Sequence, residues 1–170
     1  LQTHKIGPFG SRTRLALIAA TAENKQSLKG LRTYGVIRGA QGFIVGAMGP
    51  GPKNLEDFGY LMEHAILFAT DLGLGTCWLG GTFSKSSFAN KMNVTGEETV
   101  PAVASVGYIA NPGKIRNRAG SLKRLSPDKL FFKATFGNPL LYNLADSYAQ
   151  ILESVRCAPS ASNKQPWRII

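Results

Sequence analysis

The most regular pattern of apolar positions runs from residue 54 to residue 72. Apolar side chains recur there three and four positions apart, at Leu55, Phe58, Met62, Ala65, Ile66, Ala69 and Leu72. Leu61 and Phe68 widen this apolar face to much of the circumference. Asn54, with Asp57 three residues on, has an approximate N-cap signature, and Gly73 is placed to end the helix in the left-handed conformation. The pattern therefore predicts a helix that is buried on more than one side.

Shorter patterns predict the next elements along the chain. Apolar, β-branched runs predict strands over Gly42–Met48 and over residues 103–109. Residues 14–20 fit either a strand or a helix. Short helices are expected over residues 31–40 and 84–92, so the chain combines helices with strands.

Towards the C-terminus, one more amphipathic helix is predicted, followed by a polar loop over residues 158–166. The helix is indicated by Leu144, Tyr148, Ile151, Leu152 and Val155. Residues 167–170 resemble the opening of a strand. Because a domain rarely stops at the first residues of a strand, we expect a truncated chain or a partner strand from elsewhere.

The composition is that of an ordinary globular protein. With 170 residues, 44 % hydrophobic and 18 % charged, the chain is long enough to bury a core. No apolar run approaches the ~20 residues of a membrane span, so no membrane partner is expected. Cys77 and Cys157 are far apart and form no CxxC pair, which favours reduced thiols in a cytoplasmic protein. No Cys/His cluster has metal-ligand spacing, so no metal site is predicted.

The net charge of +10 calls for an anionic partner or a solvated surface. Basic residues are densest between residues 114 and 133, where Asp128 is the only acid. Nucleic acid would bind such charge non-specifically, but no aromatic residues are interleaved with it as on an RNA-binding sheet. A phosphorylated cofactor and a plain solvated loop remain as explanations, and nucleic acid is disfavoured. The basic residues are Lys114, Arg116, Arg118, Lys123, Arg124, Lys129 and Lys133.

Standard motifs of nucleotide loops and hydrolases are absent from the sequence. Residues 49–52 stand where a phosphate loop belongs, yet two prolines remove N–H donors that such a loop needs. Residues 73–75 follow a predicted helix, whereas the dinucleotide fingerprint follows a strand. No GxSxG nucleophile elbow occurs, and nothing brings Cys77 and His64 together as nucleophile and base. The residues therefore indicate no dedicated catalytic acid, base or nucleophile.

Two segments resemble FMN-dependent nitroreductases. The first, APSASNKQPWR over residues 158–168, is similar to the APSxxNxQPWRF signature of that family. The second, LGLGTCWLGG over residues 72–81, resembles the flavin-edge segment that follows the family's central helix. The resemblance implies an α+β fold in which a central mixed or antiparallel sheet is sandwiched by helices.

The order of these segments resembles a subfamily in which two nitroreductase-like halves are fused in one chain. An ordinary nitroreductase carries the PSxxNxQPW loop before its central helix, whereas here the loop comes last. The resemblance implies a first half over residues 1–138, with its N-terminal part missing, and a truncated second half over residues 139–170. It also implies a homodimer or an intrachain pseudo-dimer with the flavin at the interface. The family's arginine–serine phosphate motif is only weakly imitated by residues 11–14.

The resemblance implies a set of cofactor-binding residues whose chemistry suits FMN. Asn163 and Gln165 carry hydrogen-bond donors and acceptors, and the basic pair 123–124 suits a phosphate. Gly80 and Gly81 have no Cβ, so their N–H groups can approach the flavin edge, where negative charge develops on reduction. The full set is Trp78, Leu79, Gly80, Gly81, Lys123, Arg124, Pro159, Ser160, Ala161, Asn163 and Gln165.

Several of these residues also have an ordinary structural interpretation. Trp78 and Trp167 suit core packing, which is the preferred interpretation of Trp167. Ser160 suits a hydrogen bond within its own turn. Lys123 suits a plain surface position. These alternatives remain open at the level of the sequence.

The activity that the resemblance implies is that of an FMN-dependent oxidoreductase. NAD(P)H would donate hydride, and a nitroaromatic or quinone-like small molecule would then accept electrons in the same slot. The lack of a catalytic triad is consistent with this, because the flavin carries the chemistry. A flavin- or ligand-binding protein without turnover is the first alternative, and a basic nucleic-acid-binding domain is the second.

Overall fold

The computed structural model describes residues 2–111, 123–141 and 146–170. The chain divides into two compact units, Leu1–Ala110 (unit 1) and Asn111–Ile170 (unit 2). The predicted halves, 1–138 and 139–170, are a different division and stay a prediction. Part of the predicted C-terminal helix and of the basic stretch lies outside the described residues, namely Leu144, Lys114, Arg116 and Arg118.

Unit 1 is built on a five-stranded sheet. Its strands are β1 Gln2–Ile6, β2 Arg12–Ala19, β3 Gly42–Met48, β4 Gly75–Leu79 and β5 Val103–Gly107. The strand order is β1-β2-β3-β5-β4, and every pair is antiparallel. β3 is buried along its whole length at the centre of the sheet, which suits its continuous apolar sequence. The strand interpretation of residues 14–20 and the bounds predicted for β3 are confirmed, and β5 ends earlier than predicted.

Helices cover both faces of this sheet. Helix α1, Asn54–Asp71, packs its buried arc on one face, and helix α2, Lys85–Lys91, inserts Phe88 into the core on the other. α1 lies so close to β3 that a Cβ at Gly46 would come within 2.6 Å of the Phe58 ring. The predicted α+β fold with a sandwiched sheet is confirmed. None of the helices in the described part of the chain is long and apolar enough to cross a membrane.

The two ends of α1 differ in how far local sequence explains them. Gly73, with φ 77°, donates its N–H to the Thr70 carbonyl, and Leu74 donates to the Ala69 carbonyl, as in a Schellman motif. This C-terminal prediction is confirmed. The N-cap prediction is wrong, because the left-handed Lys53 caps the helix and Asn54 is its first residue. The Asn54 amide instead donates to the Gly49 carbonyl at 3.0 Å.

The short helix predicted over residues 31–40 does not form. This segment consists of turns and irregular backbone between β2 and β3. Gly30, Gly35 and Gly39 all adopt positive φ, and Tyr34 does so with φ 50°. A right-handed helix cannot continue through such residues. The prediction therefore fails because the glycines are used for chain reversals.

Unit 2 is organised around helix α3, Ala149–Cys157, which confirms the C-terminal helix over its described part. Leu152 packs with Leu130 and Phe131 in a small core. The strand predicted over residues 167–170 is reduced to one isolated bridge between Phe131 and Ile169. A single bridge does not make a ladder, and the pairing of these residues with a strand from elsewhere stays a prediction.

Candidate functional site

The polar loop over residues 158–166 has an unusual backbone. Ser162, Asn163 and Gln165 adopt φ values of 52°, 52° and 47°, in the left-handed region that disfavours residues with a Cβ. Each such residue costs roughly 1–3 kcal/mol, so the surrounding contacts must hold the loop in this conformation. Strain of this kind concentrates at ligand clamps and active sites.

Side-chain hydrogen bonds connect this loop to the backbone of the basic segment 40 positions away in sequence. The Asn163 amide donates to the Lys123 carbonyl at 2.8 Å, and Gln165 Nε2 donates to the same carbonyl at 3.3 Å. Gln165 Oε1 accepts the Leu125 N–H at 2.8 Å, and Asn163 Oδ1 accepts from Arg124 Nη1 at 3.1 Å. Four residues of the predicted site are therefore brought together within unit 2.

Gln165 and Ser160 shape the loop from inside. Gln165 is 4 % exposed, and its Nε2 also donates to the Asn163 carbonyl at 3.1 Å. The Ser160 hydroxyl accepts the Gln165 N–H at 2.9 Å, which is the bond within its own turn that the sequence left open. Pro159 and Ala161 lie exposed on the same loop. The roles of these residues towards a cofactor stay predictions.

The sequence of unit 2 has an excess of basic residues. Counted in the full sequence, unit 2 contains ten basic and three acidic residues. Lys123 is exposed, whereas Arg124 is half-buried and donates to the Cys157 carbonyl at 2.9 Å. Trp167 packs in the core of unit 2, as the preferred interpretation of that residue predicted. The loop thus combines cationic side chains with a fixed, hydrogen-bonded backbone, which suits an anionic group.

The second predicted segment lies in unit 1, at the end of β4. Trp78 packs under α1, and its Nε1 donates to Glu63 Oε2 at 2.8 Å, while Leu79 is 2 % exposed in the core on the opposite face. This position is compatible with both interpretations of Trp78, as a core residue and as part of a cofactor site. Packing of its side chain in the core leaves the backbone of the next residues accessible. Beyond Leu79, the exposed Gly80 and Gly81 leave the sheet.

Gly80 and Gly81 face open space. A Cβ at either position would meet nothing within 4 Å, and neither glycine adopts positive φ. Within the described part of the chain, their N–H groups donate no hydrogen bond. The described part of the fold would therefore tolerate a side chain at either position. Glycine at both positions leaves room for something outside the chain to approach the backbone.

The weakly imitated phosphate motif in residues 11–14 is engaged elsewhere. Arg14 forms a bidentate ion pair with Glu98, with Nε–Oε1 2.7 Å and Nη2–Oε2 2.6 Å. Its Nη1 donates to the Met92 carbonyl at 3.2 Å. Ser11 contributes its N–H to Asp57 Oδ2 at 2.7 Å. These contacts stabilise unit 1, and a phosphate contact from Arg14 would have to compete with Glu98.

Sequence reasoning missed Glu63, the partner of Trp78. The signal that points to it is an acidic residue next to the buried Met62 in the middle of α1. Only the folded chain places this carboxylate against an indole 15 positions away. Among the described residues, no group of His, Cys, Asp and Glu is arranged to hold a metal ion.

Comparison with protein families assigns the class to which this fold and these segments belong. The family model described as "Putative TM nitroreductase" matches residues 11–170. The chain belongs to this nitroreductase family. The two short segments therefore lie within a family match that covers most of the chain, while the fused-halves subfamily stays a prediction. Comparison with curated proteins gives no match.

Solved structures share the fold at low sequence identity. A nitroreductase family protein from Clostridium difficile 630 is 18 % identical, with TM-score 0.50 over 67 % of this chain and 69 % of that one. A Thermotoga maritima protein described as a "putative nitroreductase" is 24 % identical, with TM-score 0.53 over 76 % of this chain and 48 % of that one. An oxidoreductase containing FMN is 14 % identical, with TM-score 0.53 over 74 % of this chain and 72 % of that one. The chain thus spans about half the length of the Thermotoga protein.

Proposed function

We propose that this protein is an FMN-dependent oxidoreductase of the nitroreductase type. NAD(P)H would be the electron donor, and a nitroaromatic or quinone-like small molecule the acceptor. Membership of the nitroreductase family supports the reaction class. One observation carries the proposal for this chain: the strained loop 158–166 is locked by side-chain hydrogen bonds to a basic segment.

The residues present fit a flavin mononucleotide in two separate respects. In unit 2, Lys123 and Arg124 supply positive charge beside a fixed loop, which suits a phosphate or another electron-rich part of the cofactor. In unit 1, the open Gly80–Gly81 backbone presents N–H donors that no described group uses, which suits the edge of a flat ring. We assign these as two flavin-binding elements, one in each unit.

The roles of the loop amides follow from their contacts. When bound, FMN would supply the hydride acceptor and donor, while the protein binds, orients and tunes it. Both donor hydrogens of Gln165 are used within unit 2, on the Lys123 and Asn163 carbonyls. We therefore assign Gln165 the task of positioning the loop. Asn163 joins the loop to the basic segment and lies half-buried at its surface.

Association of two copies belongs to the same proposal. α1 buries one arc in its own unit but leaves Tyr60, Leu67, Phe68 and Leu72 between 48 % and 66 % exposed. Contiguous exposed apolar surface of this kind marks an interaction site. We propose that a second copy of the chain covers it, in line with the dimer or pseudo-dimer that the resemblance implies.

Flavin binding tests the cofactor assignment. Protein purified from cells and offered excess FMN should show flavin absorbance and retain FMN by mass spectrometry. Lys123→Ala should raise the dissociation constant of FMN about tenfold, since one charge-assisted contact is worth roughly 1.5 kcal/mol. Lys129→Ala removes the same charge from an exposed position outside the loop contacts and should have little effect. Protein that binds no FMN would overturn the proposal.

Turnover distinguishes an enzyme from the first alternative, a flavin- or ligand-binding protein without turnover. Flavin-loaded protein should oxidise NAD(P)H with menadione or nitrofurazone as acceptor. Bound FMN without any turnover would instead support a flavin-binding protein that is not an enzyme.

A further inference from the structure

We propose that Glu63 is a positioning residue that sets the place of the Gly80–Gly81 backbone by anchoring Trp78. This inference rests on the proposed function, because it assigns the glycines to the flavin edge. It concerns a residue that the family resemblance did not single out. The contact that carries it is the hydrogen bond from Trp78 Nε1 to Glu63 Oε2, at 2.8 Å.

The sheet holds β4 only as far as Leu79. The ladder between β4 and β5 ends with the pairs Trp78–Ala104 and Leu79–Val103. Gly80 and Gly81 lie beyond it, without side chains and without described backbone hydrogen bonds from their N–H groups. Their position therefore depends on the anchors on either side of them.

Buried side chains anchor the backbone on both sides of the two glycines. On the far side, Phe83 is 3 % exposed and packs in the core beneath α2. On the near side, Leu79 enters that same core, and Trp78 enters the opposite core under α1. Trp78 is thus the anchor that ties the start of the glycine segment to α1.

Glu63 fixes the orientation of the Trp78 ring through their hydrogen bond. An indole ring packed by apolar contacts alone can still rotate or slide within its pocket, whereas a hydrogen bond fixes its orientation. Glu63 and Trp78 are both half-buried, so water competes with this bond less than it would at a fully exposed pair. Glu63 sits on the long helix α1, which makes it a rigid reference point for the backbone that follows Trp78.

Four variants test the assignment through the flavin. Glu63→Ala and Trp78→Phe each remove the hydrogen bond, and each should weaken FMN binding or lower kcat about tenfold. The double variant should be no worse than either single variant, because both remove the same contact. Glu63→Gln keeps an oxygen acceptor for the indole N–H and should stay within about twofold of the parent protein. Glu56→Ala, an acid on the same helix paired with Lys53, serves as the control and should behave like the parent.

A second readout reports on the glycines without any flavin. In ¹⁵N relaxation measurements on the whole chain, the order parameters of the Gly80 and Gly81 amides should fall in Glu63→Ala and in Trp78→Phe. They should be retained in Glu63→Gln. Unchanged order parameters in Glu63→Ala, additive losses in the double variant, or a Glu63→Gln variant as impaired as Glu63→Ala would each overturn the inference.

The two proposals fail differently. A parent protein that binds no FMN contradicts the proposed function, and the relaxation experiment still decides whether Glu63 positions the glycines. A parent protein that binds FMN, together with unchanged FMN binding and unchanged kcat in both Glu63→Ala and Trp78→Phe, contradicts the positioning role and leaves the proposed function intact.

Discussion

Two carboxylates in unit 1 couple its stability to pH. The Arg14 guanidinium hydrogen-bonds Glu98 and lowers the pKa of that carboxyl, and Glu98 in turn raises the pKa of Arg14. Asp57 is buried, which alone would raise its pKa, but N–H groups of Phe9 and Ser11 donate to it and the net pKa is lowered. Both groups favour the folded state in their ionised form.

The lowered pKa values of Glu98 and Asp57 determine how stability changes with pH. A carboxyl whose pKa is lower in the folded chain contributes stability above its unfolded pKa of about 4, and this is lost as the pH falls through the folded pKa. The free energy of unfolding should therefore decline below about pH 4. Glu98→Gln should cost about 1 kcal/mol at pH 7 and should flatten the decline, leaving the part that Asp57 contributes.

Urea unfolding at pH 7 and pH 3 measures this effect. Glu97→Gln is the matched control, because it removes the same charge from the neighbouring exposed position. An equal loss in Glu97→Gln, or a Glu98→Gln variant with the pH slope of the parent protein, would contradict the assignment.

At the scale of single elements, α1 carries two glycines with opposite requirements. Gly73 ends the helix with φ 77°, where a residue with a Cβ is strained. Gly59 lies inside the helix, and a Cβ there would meet nothing within 4 Å. The same substitution should therefore have opposite effects at the two positions.

Thermal unfolding compares them directly. Gly73→Ala should destabilise the protein by about 1 kcal/mol, since the left-handed conformation costs roughly that much. Gly59→Ala should stabilise it by about 0.5–1 kcal/mol through helix propensity. Destabilisation by Gly59→Ala would show that this part of α1 is in close contact with something that the described chain does not include.

At the scale of the whole molecule, the exposed arc of α1 borders a large apolar groove in unit 1. The groove has a volume of about 880 Å³ and lies between α1 and the sheet. Leu17, Phe68 and Leu72 line it and are all more than half exposed. Leu61 also lines it but is 9 % exposed, so a charge at that position would disturb the core of unit 1 itself.

Phe68 is therefore the residue that tests association. Phe68→Asp should raise the dissociation constant of the proposed dimer about thirtyfold or more, as expected for loss of a ~2 kcal/mol anchor, and should weaken FMN binding with it. Analytical ultracentrifugation and flavin absorbance measure the two effects. Leu55→Asp changes an equally apolar, 59 % exposed residue of α1 that does not line the groove, and should leave both unchanged. A Phe68→Asp variant that keeps both properties would contradict the dimer proposal.

The features that could be predicted from sequence are those set by local periodicity and local backbone preference. The 3.6-residue spacing defines α1, and Gly73 ends it because glycine accepts the left-handed conformation without strain. The continuous apolar run of β3 predicts a central buried strand. The loop 158–166 and the glycines at 80 and 81 were identified differently, through their resemblance to two segments of FMN-dependent nitroreductases.

Two predictions made from local sequence pattern were wrong, each for its own physical reason. The predicted N-cap failed because Asp57, which should have supported it, is taken by N–H groups of the β1–β2 turn. The helix expected over residues 31–40 failed because its glycines are used for turns. At the N-cap a contact with the β1–β2 turn is decisive, whereas over residues 31–40 the chain reversals lie within the segment itself.

The contacts on which both proposals depend belong to tertiary structure alone. Asn163 and Gln165 meet Lys123 across 40 or more positions, and Trp78 meets Glu63 across 15. Amide, carboxylate and indole groups each accept many partners, so residue type restricts the chemistry of a contact without choosing its partner. Periodicity thus established that the chain combines helices with strands, and the resemblance to nitroreductases supplied the α+β architecture and the flavin-like segments. The choice of partners was made by the close packing of helix on sheet and of loop on backbone, because only packing brings distant groups within hydrogen-bonding distance.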